Sequence, residues 1–147
     1  MRVDVTTEIV IDRPRELVSA YAADPVNAPR WYANIESVGW TTPPPPLVGA
    51  QAAFVARFLG HRLTYTYAVV DAVPGERLVM RTSQGPFPME TTYTWQDQDR
   101  GTRMTLRNRG EPSGFSRIGA PLLAAAVRRA NNQDLARLKA LLEQARP

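Results

Sequence analysis

Residues 114–145 read GFSRIGAPLLAAAVRRANNQDLARLKALLEQA. Beyond Pro121 this stretch has neither Gly nor Pro, and it is rich in Ala, Leu and Arg, all strong helix formers. It reads as one long amphipathic helix, bent near Pro121. At about 100° per residue, one face collects Ala120, Ala124, Val127, Asn131, Leu135, Leu138 and Leu142. Arg128 and Lys139 fall toward the edges, and Arg129 and Asn132 fall opposite. The face is small at its start (Ala120, Ala124) and large at its end (Leu135, Leu138, Leu142). Large side chains fill a core, whereas small ones leave room unless the facing surface fills it. The pattern predicts a lid packed tightly at its C-terminal end and loosely before it. Asn131 sits near the centre of the face, with Asp134 on its flank. The ordinary alternative places Asn131 at a wet helix edge and uses the alanines for close packing.

Working back from that helix, the rest of the chain supplies strands. Val3 to Ile11 alternates Val3, Val5, Thr7, Ile9 and Ile11 against Asp4, Thr6 and Glu8, the period of a half-buried strand. Pro14 opens a helix over RELVSAYAA, and Asp24-Pro25 opens a second, short one that ends near Trp31-Tyr32. Asn34 to Thr41 is a second strand. It runs into Pro43 to Pro46, a stiff polyproline connector that could also serve as a PxxP ligand. Strands then follow over 50–59, 62–71, 76–82, 87–96 and 103–109, separated by turn signals at Gly60-His61, Pro74-Gly75, Gly85-Pro86 and residues 98–101.

Strands joined by tight turns make an antiparallel sheet, and its apolar face needs a cover. The last helix is the one element long enough to provide it. The expected class is therefore α+β: a curved antiparallel sheet of about seven strands wrapped around a long C-terminal helix, with two short helices between strands 1 and 2.

The chain has 147 residues, which suits one domain spanning 1–147 and burying roughly 70% of its unfolded surface. It has no cysteine, which excludes disulfides, thiol nucleophiles and Cys-based metal sites. The sequence shows no basic-then-apolar leader and no long apolar run, so a cytoplasmic protein without a membrane span is expected. Net charge is +4, carried almost wholly by arginines spread along the chain, with no run interleaved with aromatics. That pattern reads as a solvated surface and not as a specific nucleic-acid interface.

Several pieces together carry a resemblance: the opening strand running into IDRPRELVSAYAADP, Trp31 before the second strand, GERLVMRT, GPFPMETTYTW, GTRMTLRNRGEP and the ending DLARLKALLE. With the order of elements, they resemble the helix-grip fold of the START and Bet v 1-like superfamily, and most of all its bacterial polyketide cyclase/dehydrase-like branch (SRPBCC proteins). The resemblance covers nearly the whole chain. It implies a deep apolar cavity between sheet and helix that holds lipids, sterols, polyketides or other hydrophobic molecules. Some members of the superfamily are cyclases or dehydratases and some are carriers, with no shared catalytic signature.

Strand parity gives the residues expected to face such a cavity: Tyr65, Tyr67, Met80, Phe87, Met89, Tyr93, Trp95, Met104 and Leu106, with Trp31 near an entrance and Ala124 beneath the loose part of the helix. Each could equally be plain core. The polar groups in this set are few: Asn108, Asn131 with Asp134 beside it, and the tyrosine hydroxyls. The two asparagines could hold a ligand carbonyl or hydroxyl, or each other. Asp134 is the one carboxylate able to face the cavity, where burial would raise its pKa toward that of a general base. An exposed ion pair with Arg137 or Arg103 is the preferred reading for it. The one histidine, His61, falls in a turn, so neither a zinc site nor a Ser/His/Asp arrangement is expected. Walker A, GxGxxG and GxSxG motifs are absent.

The expected function is binding of a small hydrophobic ligand without a cofactor, by a monomer or homodimer. The alternatives are a cyclase or dehydratase acting on such a ligand, and an interaction module like the Hsp90-activator relatives of the superfamily.

Overall fold

The computed structural model describes residues 2–42, 48–112 and 119–144. Strand β1 (Val3–Ile11) is followed by α1 (Arg15–Ala23), a short 3-10 turn (Pro25–Asn27) and α2 (Ala28–Trp31). Strands β2 (Ile35–Trp40), β3 (Gln51–Phe58), β4 (His61–Val73), β5 (Arg77–Gln84), β6 (Met89–Gln98) and β7 (Gly101–Gly110) come next, and α3 (Ala120–Gln144) is the last described element. The seven strands form one antiparallel sheet in the order β1-β7-β6-β5-β4-β3-β2. Register shifts at Ile35/Ser37 in β2, and at Thr66/Tyr67 and Val69/Asp71 in β4, mark irregularities that bend the strands. The sheet curves around α3, the helix-grip arrangement that the alternation and the turns predict.

Local chemistry fixes the joints. Pro14 caps α1 in an extended conformation, and its carbonyl accepts the first helical N–H bonds from Leu17 and Val18. The Asp24 carboxylate accepts from the Val26 N–H at 3.1 Å, and Pro25 fills the first turn behind it. The β3–β4 hairpin pairs Phe58 with His61, so its two loop residues are Leu59 and Gly60, not Gly60 and His61 as the sequence suggests. Both have positive φ (49° and 81°), the requirement of a tight primed turn. Leu is a poor turn former, which is why the sequence misplaces the turn by one residue. His61 is the exposed first residue of β4.

The predicted bend at Pro121 is also corrected. Helix α3 starts at Ala120, where the Leu123 N–H donates to the Gly119 carbonyl, so Pro121 stands in the first turn, where its missing N–H is harmless. Residues 114–118 of the predicted helix, like the proline run 43–46, lie outside the described residues.

The inner face carries two apolar clusters. The larger gathers Ile11, Val18, Trp31, Trp95, Met104 and Leu106 under Leu135, Leu138 and Leu142 of α3. The smaller joins Val3, Val5, Phe87 and Leu123, with Phe58, Leu63, Met89, Ala124 and Val127 packed against it. The outer face is a ladder of charges across neighbouring strands. Arg107 pairs with Asp4, Arg103 with Glu8, and both Arg81 and Arg109 with Glu90. Among the described residues seven arginines pair with carboxylates: Arg15, Arg57, Arg77, Arg81, Arg103, Arg107 and Arg109. No helix among the described residues is long and apolar enough to cross a membrane.

Candidate functional site

Between the two apolar clusters lies a partly open cavity of about 190 Å³. Of the residues expected there, Tyr65 and Tyr67 of β4, Met80 of β5, Phe87 just before β6, Met89 and Tyr93 of β6, Asn108 of β7 and Asn131 of α3 line it. They converge because alternate residues of each strand point to the concave face and α3 crosses that face.

Five expected residues are not in the lining: Trp31, Trp95, Met104, Leu106 and Ala124. Trp31 is fully buried, its ring 4.1 Å from that of Tyr32 and 5.9 Å from that of Tyr93, so it packs behind the lining in the larger cluster and is not at an entrance. Trp95 and Met104, like Leu106, are packed in the larger core cluster. Ala124 is half-buried beside the smaller cluster, and the helix instead turns Leu123, Val127, Ala130 and Asp134 to the cavity, spaced i, i+4, i+7 and i+11.

Other lining residues were not singled out from the sequence. Phe54 and Ala56 share the inward parity of β3 and could have been found by it. Thr91 has the parity of Met89 and Tyr93 but is not apolar. Tyr32 and Asn34 stand between α2 and β2, in a segment with no period to read.

Polar groups cross the wall in a chain. The Tyr67 hydroxyl lies 2.8 Å from Thr91 Oγ1, which donates to Asn108 Oδ1 at 2.6 Å. A threonine hydroxyl has one proton, so Tyr67 must be the donor to Thr91. Asn108 Nδ2 in turn donates to Asn131 Oδ1 at 3.2 Å. Asn131 is 4% exposed, and its Nδ2 is buried with no hydrogen-bond partner. A buried donor left unpaired is a substantial penalty, so this amide is built to meet an acceptor. The chain runs donor to acceptor in one direction, and each link polarises the next toward that last N–H. Burial pushes the Tyr67 phenol up to about 12, although its bond to Thr91 acts the other way.

A second polar group lies one helical turn on. Asp134 is 3% exposed, so the expected surface ion pair is overturned: Arg103 is taken by Glu8. The fold reaches Asp134 through the α2–β2 segment, where the Ala33 N–H donates to Asp134 Oδ1 at 3.1 Å. Burial raises the carboxyl from 3.8 to about 6, against the Ala33 N–H and the charge of Arg137, which both favour the ionised form. Nearby, the hydroxyls of Tyr32 and Tyr93 are 2.7 Å apart. Both phenols titrate above the usual tyrosine range, mainly through burial, with the field of Asp134 adding to the effect. The cavity therefore presents one open donor and one carboxylate with no described ion-pair partner, within a largely apolar wall rich in aromatic rings.

Among the described residues no group of three or more His, Cys, Asp or Glu could hold a metal ion. No curated protein matches the chain. Similar solved structures share its fold along nearly their whole length. A protein from Thermus thermophilus is 19% identical over 97% of this chain and 99% of its own, with a TM-score of 0.82. A START superfamily protein from Mycobacterium smegmatis is 14% identical over 97% and 99%, with a TM-score of 0.83. The Zhui aromatase/cyclase from Streptomyces sp. R1128 is 17% identical over 98% and 95%, with a TM-score of 0.79. Residues 2–143 match the family described as polyketide cyclase / dehydrase and lipid transport, and the chain belongs to that family.

Proposed function

We propose that the protein binds a small, largely apolar molecule bearing a hydrogen-bond acceptor in the cavity between the sheet and α3. The observation that carries this reading is the unpaired, buried Nδ2 of Asn131 on an aromatic wall. The cavity, at about 190 Å³, lies below the ~300–1,000 Å³ common for ligand sites and somewhat above the ~150 Å³ that holds a benzene ring. A compact ligand fits inside, and a longer lipid or polyketide would project through the open side.

Titration with acetophenone and ethylbenzene tests the reading, since the two share a ring and differ at the carbonyl. Acetophenone is expected to bind at least about tenfold more tightly, the worth of one good hydrogen bond to a buried donor. Asn131→Leu should bring acetophenone down to the level of ethylbenzene and leave ethylbenzene unchanged. Equal binding of the two compounds by the unaltered protein refutes the anchor.

A second reading is favoured by Asp134. A cavity carboxyl with a pKa of about 6 suits proton transfer in cyclisation or dehydration near neutral pH. The family description and the aromatase/cyclase among the similar structures support the same class.

A further inference from the structure

Asp134 is the one carboxylate among the buried polar residues described, and no described cation pairs with it. Its one hydrogen bond in the structure comes from a backbone N–H. A buried charge without a counter-ion is costly and is ordinarily neutralised by a partner. The wall around it is aromatic. Tyr32 and Tyr93 stand in its field, and Tyr65, Tyr67 and Phe54 line the same cavity, with the Phe54 and Tyr65 rings stacked 5.2 Å apart and Tyr67 edge-on to both. Aromatic rings beside a carboxylate that lacks an ion-pair partner are the chemistry that recognises an organic cation: the ring faces attract the charge and the carboxylate balances it.

The other charged residues that border the cavity have the outward parity of their strands and do not oppose this. Arg57 of β3 is paired with Glu36, and Arg109 of β7 is paired with Glu90. Glu90 of β6 is held by Arg81 as well as Arg109. Arg137, on α3 itself, is exposed. The tyrosines are neutral at physiological pH, so Asp134 is the cavity carboxylate without an ion-pair partner among the described residues, and Arg137 acts on it only through its field.

We propose that the cavity's ligand is a small hydrophobic amine or quaternary ammonium compound, its cationic centre set against Asp134 inside the tyrosine wall and its acceptor on Asn131. This deepens the binding reading and depends on it. The two groups are three residues apart on one helix, about 5–6 Å between Cβ atoms, so one compact ligand spans both.

The test compares benzyltrimethylammonium with neopentylbenzene, its neutral isostere, with acetophenone as a control for the cavity itself. At pH 8 the cation should bind at least about tenfold more tightly than the isostere. Between pH 8 and pH 5 its affinity should fall about tenfold, because protonation of Asp134 removes the counter-charge, while the isostere stays level or gains. Asp134→Asn should abolish both the preference and the pH dependence. If that variant does not fold, the pH profile and the cation-to-isostere ratio of the unaltered protein decide alone. An isostere that binds as well as the cation at pH 8, or a cation affinity flat from pH 8 to pH 5, overturns the proposal. If acetophenone then still binds, the cavity reading survives it. If none of the three binds, both fall.

Discussion

The two halves of α3 cross the same sheet and do different work. From Leu135 to Leu142 the helix buries three leucines completely or nearly so, against Trp31, Trp95, Met104 and Ile11. From Leu123 to Asp134 it crosses open space, touching the far cluster through Leu123 and turning Val127, Ala130, Asn131 and Asp134 to a cavity. One half holds the sheet to the helix. The other leaves room, and places in it an unpaired amide and the only buried carboxylate among the described residues. A close-packed interior tolerates such groups only where something else is meant to complete them. The stability of this fold and its function are therefore assigned to different turns of one helix.

The sharpest way to break that division is to truncate a side chain in each half. Leu138 is fully buried in the large cluster, and Leu138→Ala should lower stability by about 2–5 kcal/mol, the range for a buried leucine that leaves a cavity behind. Val127 is half-buried at the hollow end, and Val127→Ala should cost less than about half as much. Urea midpoints of the two variants give the comparison, and equal losses would remove the distinction between a packed and a hollow half.

The packed half was the more legible in sequence. Leu135, Leu138 and Leu142 recur at helical spacing, and strand parity placed Tyr65, Tyr67, Met80, Met89 and Tyr93 on one face with no further information. The hollow half was legible only in outline. Its looseness showed in the small residues, and Val127 and Asn131 of the expected face do line the cavity, but Leu123 and Ala130 line it in place of Ala124, a rotation that periodicity alone does not resolve. Asp134 sits on the flank of the apolar face, about 60° from Asn131 by helical projection. Whether a flank is wet or dry depends on what covers it, and here the cover is the segment around Ala33, 101 residues away in sequence. Trp95 and Met104 have the right parity yet stand in the packed cluster, because parity fixes the face of a strand and not the distance along it.

Acidity probes the hollow half from within. The folded pKa of Asp134 is raised from 3.8 to about 6, so the native state holds this proton more tightly than the unfolded chain. The sign follows from linkage: the contribution is fully present below about pH 4 and is lost as pH rises through 6. Asp134→Asn keeps an oxygen for the Ala33 N–H and removes the buried charge. It should be more stable than the unaltered protein at pH 7.5, by about 1–2 kcal/mol, and the gap should narrow, by about half, toward pH 5. Paired urea midpoints across pH 5 to 8 measure it. A gap that stays constant over that range would mean that Asp134 titrates as an exposed carboxylate, and the hollow half would then hold no buried charge.

The smallest effect expected on stability is the one that tests the cavity most directly. Ala130 lines it from α3, and the site is large enough for several more carbon atoms. Ala130→Leu exchanges two strong helix formers, so the helix itself should be indifferent. In a full core the added carbons would force neighbours off their rotamers, at a cost of about 1–3 kcal/mol. In open space they gain contacts with the cavity wall and force no neighbour off its rotamer. The urea midpoint should therefore move by the equivalent of less than about 1 kcal/mol, while ethylbenzene uptake falls because its volume is taken. The same substitution in the packed half, Ala140→Leu at an exposed position, should leave uptake untouched. A strongly destabilised Ala130→Leu that still takes up ethylbenzene would show the space to be filled in solution, and the contrast between the two halves of α3 would not stand.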